Sequence, residues 1–346
     1  LNKMNNMNKQ KILFLGASAN QIPPILYAKN NGYYIITCDN IPSNPGHIHA
    51  HETFDISTVD KEAVLKLAAA KKVDAVVAYA SDPSAPTVAY VGNRLGLPSN
   101  PYDSVSILVD KTRYRQFLRE NGFNYPKFVC ATNVEEALLR STELSFPLMV
   151  KPADSSGSKG VRKVTSIKEI QDAFVYAQSF SRNNKVIIEQ YVQMKGFQTA
   201  GDAFIVDGKI AFYCFANEHF NEFCNPHVPI GESFPSILHL DLQKKIVSEI
   251  NRLLNLLDMK NGAINIDARI GEKNEIYLME IGPRNGGNII PEVIQHCTGV
   301  DLIGYTIKSA IGKDCSSLKM TITKGFYASY IIHSDKDGLF KRLSVD

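Results

Sequence analysis

A chain of 346 residues exceeds one ordinary core, so two or three packed units with clefts between them are expected. Hydrophobic residues at 44% and charged residues at 21% match globular averages and exclude a disordered or fibrous chain. The net charge of +3 comes without a basic stripe interleaved with aromatics, and no apolar run approaches the roughly 20 residues of a membrane span, which argues against nucleic-acid and membrane partners.

The polar opening LNKMNNMNKQ lacks the apolar core of a secretion signal, so a cytoplasmic protein acting on small molecules is expected. Cys38, Cys130, Cys214, Cys224, Cys297 and Cys315 form no C-x-x-C pair and read as reduced thiols.

In chain order, 11–18 reads as a buried strand ending in a turn, 21–32 as a helix closed by Gly32, and 33–39 as a second strand. After a loop rich in Pro, Asn and His come a helix over 61–72 and a third strand over 73–81. This alternation predicts a parallel sheet with a crevice at the carboxyl ends of its strands, where Gly16 and Asp82 fall as candidate substrate contacts. Asp82 could equally cap a following helix. The triplet His47, His49 and His51 would share one face of a strand and suit a metal, but it follows Pro42 and Pro45, so a substrate-facing loop is the better reading.

Residues 104–122 read as one long helix stopped by Gly122. Next come a strand, a Gly/Ser loop and a return strand over 146–164, a helix over about 167–180, and a strand over 186–192. Asp207-Gly208 suits the tight turn of a hairpin over 203–215. A helix over 242–258 precedes a second hairpin, AINIDARI and EIYLMEI, and a further strand or two is expected after 315. His219 and His227, near Glu218, Glu222 and Glu232, read either as a substrate-gating segment or as an exposed polar loop.

Two segments carry chemistry. Lys151 ends an apolar strand and leads into Asp154-Ser155-Ser156-Gly157-Ser158-Lys159-Gly160. Glycines that admit close backbone approach, hydroxyl donors and two lysines suit a polyphosphate, although a plain surface hairpin would look the same. The pattern G-x-x-x-x-G-K-[ST] is absent. On the second hairpin, a four-residue loop at 272–275 would pair Gly271 with Ile276 and set Asp267 directly opposite Glu280. Like charges roughly 4.5 to 5.5 Å apart at Cβ call for a cation between them, and magnesium favours such carboxylates together with phosphates. Ile264, Ile266 and Ala268 would face the core, and Asn265, Asp267 and Arg269 the opposite side. The chain then runs on through Arg284, Gly286 and Gly287, which brings a guanidinium near the phosphates.

In this order and spacing the sequence resembles the ATP-grasp superfamily from about 11 to 311, most of all its carboxylate-amine ligases and its purine-pathway and carbamoyl-phosphate-synthase-like members. The resemblance implies an α/β and α+β fold: a Rossmann-like N-terminal domain over 11–102, a linking helix over 103–123, a lid subdomain over 124–192, a catalytic antiparallel-sheet subdomain over 193–314 and a short C-terminal segment over 315–346. It implies that ATP and one or two Mg2+ ions, with Mn2+ able to substitute, are bound as follows. Lys111, in Asp-Lys-x-x-x-Arg, and Lys151 contact phosphates, and Ser155, Ser156, Gly157, Ser158, Lys159 and Gly160 form the mobile phosphate loop. Glu189, Gln190, Tyr191 and Val192 read adenine, with Glu189 near the exocyclic amine and the backbone of Gln190 and Val192 on the ring. Gln198 takes the ribose position in place of the usual Glu. Asp267 and Glu280 hold metal, and Arg284 with Lys151 serves catalysis beside an acyl phosphate. Gly282 stands where relatives commonly have an asparagine ligand. The expected activity is ligation of a carboxylate to an amine, in a chain that forms a homodimer as relatives do. The alternatives are a carboxylase-type or phosphoribosyl-amine ligase, or a nucleotide-binding protein without catalysis.

Overall fold

Short apolar runs bounded by turns supply the first sheet. The computed structural model describes residues 9–221, 225–334 and 336–344. In it β1 (Lys11–Leu15), β2 (Tyr34–Asp39), β3 (Glu52–Asp55) and β4 (Ala75–Ala78) are parallel, in the order β3-β2-β1-β4, and α1 (Ile22–Asn30) and α2 (Lys61–Lys71) cross between them. β1, β2 and β4 are buried on both faces and therefore read as continuous apolar runs. β3 is a half-exposed edge whose sequence, ETFD, carries no apolar run, so it passed for loop.

Two helical expectations change. Residues 85–95, not anticipated, form α3 (Ala85–Leu95), with proline at its start and Gly96 as a left-handed C-cap. The single helix expected over 104–122 is two, α4 (Tyr102–Val109) and α5 (Lys111–Glu120). Asp110 between them is extended (φ −89°, ψ 111°), and its side chain accepts a hydrogen bond from the Arg113 N–H at 2.9 Å. The cap competes with helix continuation and wins, as aspartate commonly does at such a position.

The second sheet is antiparallel, ordered β5-β8-β6-β7 from β5 (Phe128–Ala131), β6 (Leu148–Pro152), β7 (Arg162–Val164) and β8 (Val186–Gln190). α6 (Val134–Ser141) and α7 (Ile170–Gln178) pack on it through Ala137, Ile170, Phe174 and Ala177. The third sheet is ordered β13-β12-β9-β10-β11-β14: β9 (Gln198–Val206), β10 (Lys209–Asn221), β11 (Asn225–Phe234), β12 (Gly262–Ile270), β13 (Ile276–Gly282) and β14 (Tyr327–Tyr330). Asp207 and Gly208 both take positive φ in the tight turn between β9 and β10. On one face α8 (Leu240–Leu256) packs Ile246, Ile250 and Leu253 against Ile264, Ile266 and Ala268. Part of the other face meets α9 (Ile290–Thr298) and α10 (Leu302–Ala310), and the remainder, toward β13 and the far ends of β9–β11, is left for a site.

The histidine triplet is not a strand. His47 and His49 lie in a 3₁₀ turn, where His47 Nδ1 is 2.9 Å from Thr37 Oγ1, and His51 Nδ1 accepts from the Ile35 N–H at 2.9 Å. Among the described residues no group of three or more His, Cys, Asp or Glu side chains is arranged to hold a metal, and no helix is long and apolar enough to cross a membrane. Cys38, Cys130, Cys214, Cys297 and Cys315 are free thiols. Cys224 and Glu222 lie outside the described residues.

Candidate active site

Asp267 on β12 and Glu280 on β13 face each other as cross-strand partners, by a different route from the one expected. The turn is one residue longer, since Ile270 rather than Gly271 pairs with Ile276 and the Gly271 N–H donates to the Glu275 carbonyl at 2.9 Å. A β-bulge cancels the offset: Ala268 pairs with Leu278 and Asp267 with Glu280, leaving Met279 as the extra residue. Its freed carbonyl accepts from Arg115 Nη1 at 2.8 Å. Burial and the facing Glu280 together push the Asp267 carboxyl up to about 7, the condition a divalent cation would relieve.

Two lysines and an arginine approach from other elements. Lys111, the first residue of α5, lies 3.4 Å from Glu280 through its Nζ, which also donates to the Ser155 carbonyl at 2.8 Å. Lys151 Nζ is 2.5 Å from Glu189 Oε1, and Arg115 Nε donates to Glu189 Oε2 at 2.8 Å. Burial alone would raise the Glu189 carboxyl, but Arg115 and Lys151 hold it down at about 2. Burial draws Lys151 below its ordinary value against the pull of Glu189. Glu189 is thus enclosed by two cations beneath the cleft, although the resemblance assigns it to an adenine amine. Arg115 is the last residue of the quoted Asp-Lys-x-x-x-Arg, one turn from Lys111 on the same helix face, and that spacing was the signal for it.

The loop between β6 and β7 overhangs these groups. Ser155, Ser156, Gly157 and Ser158 line a cleft of ≈ 500 Å³ together with Lys111, Arg115, Lys151, Tyr191, Gln198, His227, Asp267 and Glu280, a size suited to a small-molecule ligand. Lys159 is exposed and is not part of that lining. Gly160 (φ +75°) is confined at the loop's return, where a Cβ would stand 2.8 Å from Pro152 and 2.9 Å from Phe180. Asp154 anchors the base by accepting from the Asn183 N–H at 3.1 Å and the Ser181 hydroxyl at 3.0 Å.

At the hinge, the Gln190 N–H donates to the Lys127 carbonyl at 2.9 Å, so this backbone donor is already engaged within the sheet. The Val192 carbonyl accepts from Arg269 Nη1 at 3.3 Å, and the Tyr191 ring has Lys163 Nζ 4.0 Å from its centroid. Gln198 bridges Arg269 Nε, at 2.8 Å from its Oε1, and Glu218, to which its Nε2 donates. Glu218 faces Glu232 across β10 and β11, and burial raises both carboxyls, Glu232 to about 8. Glu232 Oε2 is buried without a hydrogen-bond partner. This end of the cleft therefore suits cations. His227, on β11, is held below its ordinary value by burial and then by Lys151 and Arg269.

Arg284 reaches the N-terminal sheet. Its Nε donates to Asp82 Oδ1 at 2.8 Å and its Nη2 is 2.5 Å from Asp82 Oδ2. Asp82 caps no helix; it is ion-paired, and Arg284 holds its carboxyl below the usual range although burial opposes this. Asp202 on β9, which sequence reasoning missed, fixes the following loop: its Oδ2 accepts from the Gly286 N–H at 2.8 Å and its Oδ1 from Asn265 Nδ2 at 2.9 Å. A lone acid in an apolar strand carried no signal for that role. A Cβ on Gly287 would stand 3.7 Å from Ala80, so the loop extends to the end of β4. Gly16 donates its N–H to the Cys38 carbonyl at 2.9 Å and, like Gly286 and Gly287, is outside the cleft lining. A second cavity of ≈ 480 Å³, beside Arg284, Asn285, Thr306 and α3, contains none of the facing carboxylates or phosphate-loop residues, so the first cleft is the candidate site, and Arg284 lies outside its lining.

Comparisons with known proteins show what the chain is similar to. Residues 117–287 match the family described as D-ala D-ala ligase C-terminus. The carbamoyl phosphate synthase large chain of Thermoanaerobacter pseudethanolicus is 28% identical over 236 residues, which is 67% of this chain and 21% of that relative's length. The chain thus spans about a fifth of that relative. Among solved structures, the L-amino acid ligase from Bacillus licheniformis superposes with a TM-score of 0.79 at 18% identity, covering 96% of this chain and 82% of that one. The N5-carboxyaminoimidazole synthetase from Staphylococcus aureus, complexed with ADP, gives 0.76 at 16% identity, covering 94% and 83%.

Proposed function

We propose, from the match of residues 117–287 to the D-ala D-ala ligase C-terminus family and the fold shared with solved ligases, that the chain is an ATP-grasp member and an ATP- and magnesium-dependent ligase that activates a carboxylate as an acyl phosphate and joins it to an amine. The observation that carries this reading is the convergence, in one cleft, of the facing carboxylates Asp267 and Glu280 with Lys111, Lys151 and the Ser155–Ser158 stretch.

Asp267 and Glu280 fit a divalent cation, since two half-buried facing acids with oxygen donors only are what magnesium takes alongside phosphates. When bound, the metal neutralises charge on the transferring phosphoryl group. The chain's own residues do the rest by positioning and electrostatics, which dominate phosphoryl transfer. Lys151, fixed by Glu189, and Lys111, fixed between Glu280 and the Ser155 carbonyl, present cations to the phosphates. The loop over 155–160 closes over them and keeps water from the acyl phosphate. Arg284 stabilises the negative oxygen that develops when the amine attacks. The sequence boundaries at 102, 123, 192 and 314 are proposed as the corresponding domain divisions.

The test is ADP and phosphate release across a panel of amino acids, other carboxylates and bicarbonate, each with ATP and Mg2+. At least one acid is expected to stimulate release about tenfold or more over the basal rate. Intact ATP binding with no stimulation by any acid would sink the reading, and stimulation by bicarbonate alone would move it to the carboxylase type.

A further inference from the structure

Gly282 occupies the position where an asparagine ligand was expected, and its surroundings explain the exchange. A Cβ there would lie 2.7 Å from Asp82 Oδ1 and 3.3 Å from both Cζ and Nε of Arg284. The volume that a side chain at 282 would fill is taken by a carboxylate from the N-terminal sheet and the guanidinium it binds. Asp82 is 6% exposed, and it enters from the Ser81-Asp82 corner just beyond β4.

The guanidinium is held by two partners, and the backbone that carries it is fixed as well. Nε and Nη2 bind Asp82, Nη1 donates to the Asn285 carbonyl at 3.0 Å, and the Arg284 N–H donates to the Gly282 carbonyl at 2.8 Å. Arginine has five N–H donors, so with three engaged two remain for an anion. An arginine lacking the Asp82 fork would be free to turn that fork on a substrate carboxylate or a phosphate in an unproductive geometry.

We propose that Asp82 is the positioning residue for Arg284, delivered to the catalytic cleft by the N-terminal domain, and that Gly282 is the residue that admits it. This rests on the ligase reading above for what Arg284 then does, and it makes the cleft incomplete without the N-terminal unit. Misplacement of a charge-stabilising group by about 1 Å costs on the order of 100-fold in rate, whereas ground-state binding of ATP at the distant hinge is left alone.

The experiment uses the full chain with D82N, which keeps the size of the side chain, G282A, which forces Asp82 away, and the D82N/G282A double variant. Acid-stimulated ADP release is expected to fall about 10- to 100-fold in kcat in each single variant, with KM for ATP within about twofold. The double variant should be no worse than either single, because both remove one interaction. The side-chain Nε–H resonance of Arg284 in ¹⁵N-arginine-labelled protein should move and exchange faster with water in D82N. Unchanged kcat in D82N, or losses that multiply in the double variant, overturn the proposal. So does an unchanged Arg284 resonance, a readout that decides the matter even if no acid stimulates the unaltered chain, an outcome that sinks only the ligase reading.

Discussion

Arg115 and Lys151 reach Glu189 from α5 and β6, and at this position three charges are removed from water together. Desolvation makes such a cluster costly to assemble and more costly to break, because removing one member strands the others. E189Q is therefore expected to destabilise the fold by roughly 3–5 kcal/mol in denaturant unfolding. The pH dependence follows from the depressed carboxyl, at about 2 against an ordinary 4.5. The contribution is complete above pH 4.5 and is lost as pH falls through 2, so the Tm gap between wild type and E189Q should narrow from pH 7 toward pH 3. A gap independent of pH would contradict the assignment. At this scale Lys151, Asp267, Glu280 and Arg284 could be singled out because each sits beside a recognisable loop or hairpin, whereas Lys111, inside an apparently unbroken helix, was singled out only by the resemblance. The enclosure of Glu189, the role of Asp202 and the Asp82–Arg284 pair were not, because each joins residues far apart in the chain, 202 positions in the last case.

Elements decide where these residues point. Asp110 ends α4 and starts α5, so Lys111 becomes the first residue of a new helix, its N–H bonded to the Ala153 carbonyl at 2.9 Å and its Nζ directed at Ser155 and Glu280. D110A should cost about 1 kcal/mol, as loss of a cap does, lowering the urea midpoint with little change in slope. It should also raise KM for ATP through Lys111; unchanged stability and unchanged KM would show that the break is held by other contacts. The apolar periodicity of 104–122 hid this break, since both helices bury the same side. The Asp267–Glu280 pairing shows the opposite situation. Its outcome was legible from the alternation of Ile264, Ile266 and Ala268, while the longer turn and the compensating bulge at Met279 were not, because no single residue there signals a bulge.

At the scale of the molecule, the second and third sheets and the start of α5 enclose the cleft, and the segments between the sheets carry what sequence periodicity showed least. β5 and α6 complete the second sheet, β11 and β14 extend the third, and α9 and α10 cover its other face. β11 lies in a stretch of prolines, histidine and acids whose strand character comes from its neighbours β10 and β14 rather than from its own pattern. That strand brings His227 to the cleft and sets Glu232 opposite the lining residue Glu218, and the loop after β13 brings Arg284 to Asp82. The cleft thus combines phosphate-directed cations with a carboxylate pair for a metal, and Arg284, paired with Asp82, lies outside its lining, an arrangement that suits the proposed acyl phosphate formation. Hydroxylamine captures an acyl phosphate as a hydroxamate, so the most direct measurement is hydroxamate formed per ADP released with ATP, Mg2+ and the stimulating acid. The account predicts a ratio near one, with both products lost together in D267N and E280Q. ADP release at the full rate without hydroxamate, with or without those substitutions, would contradict it.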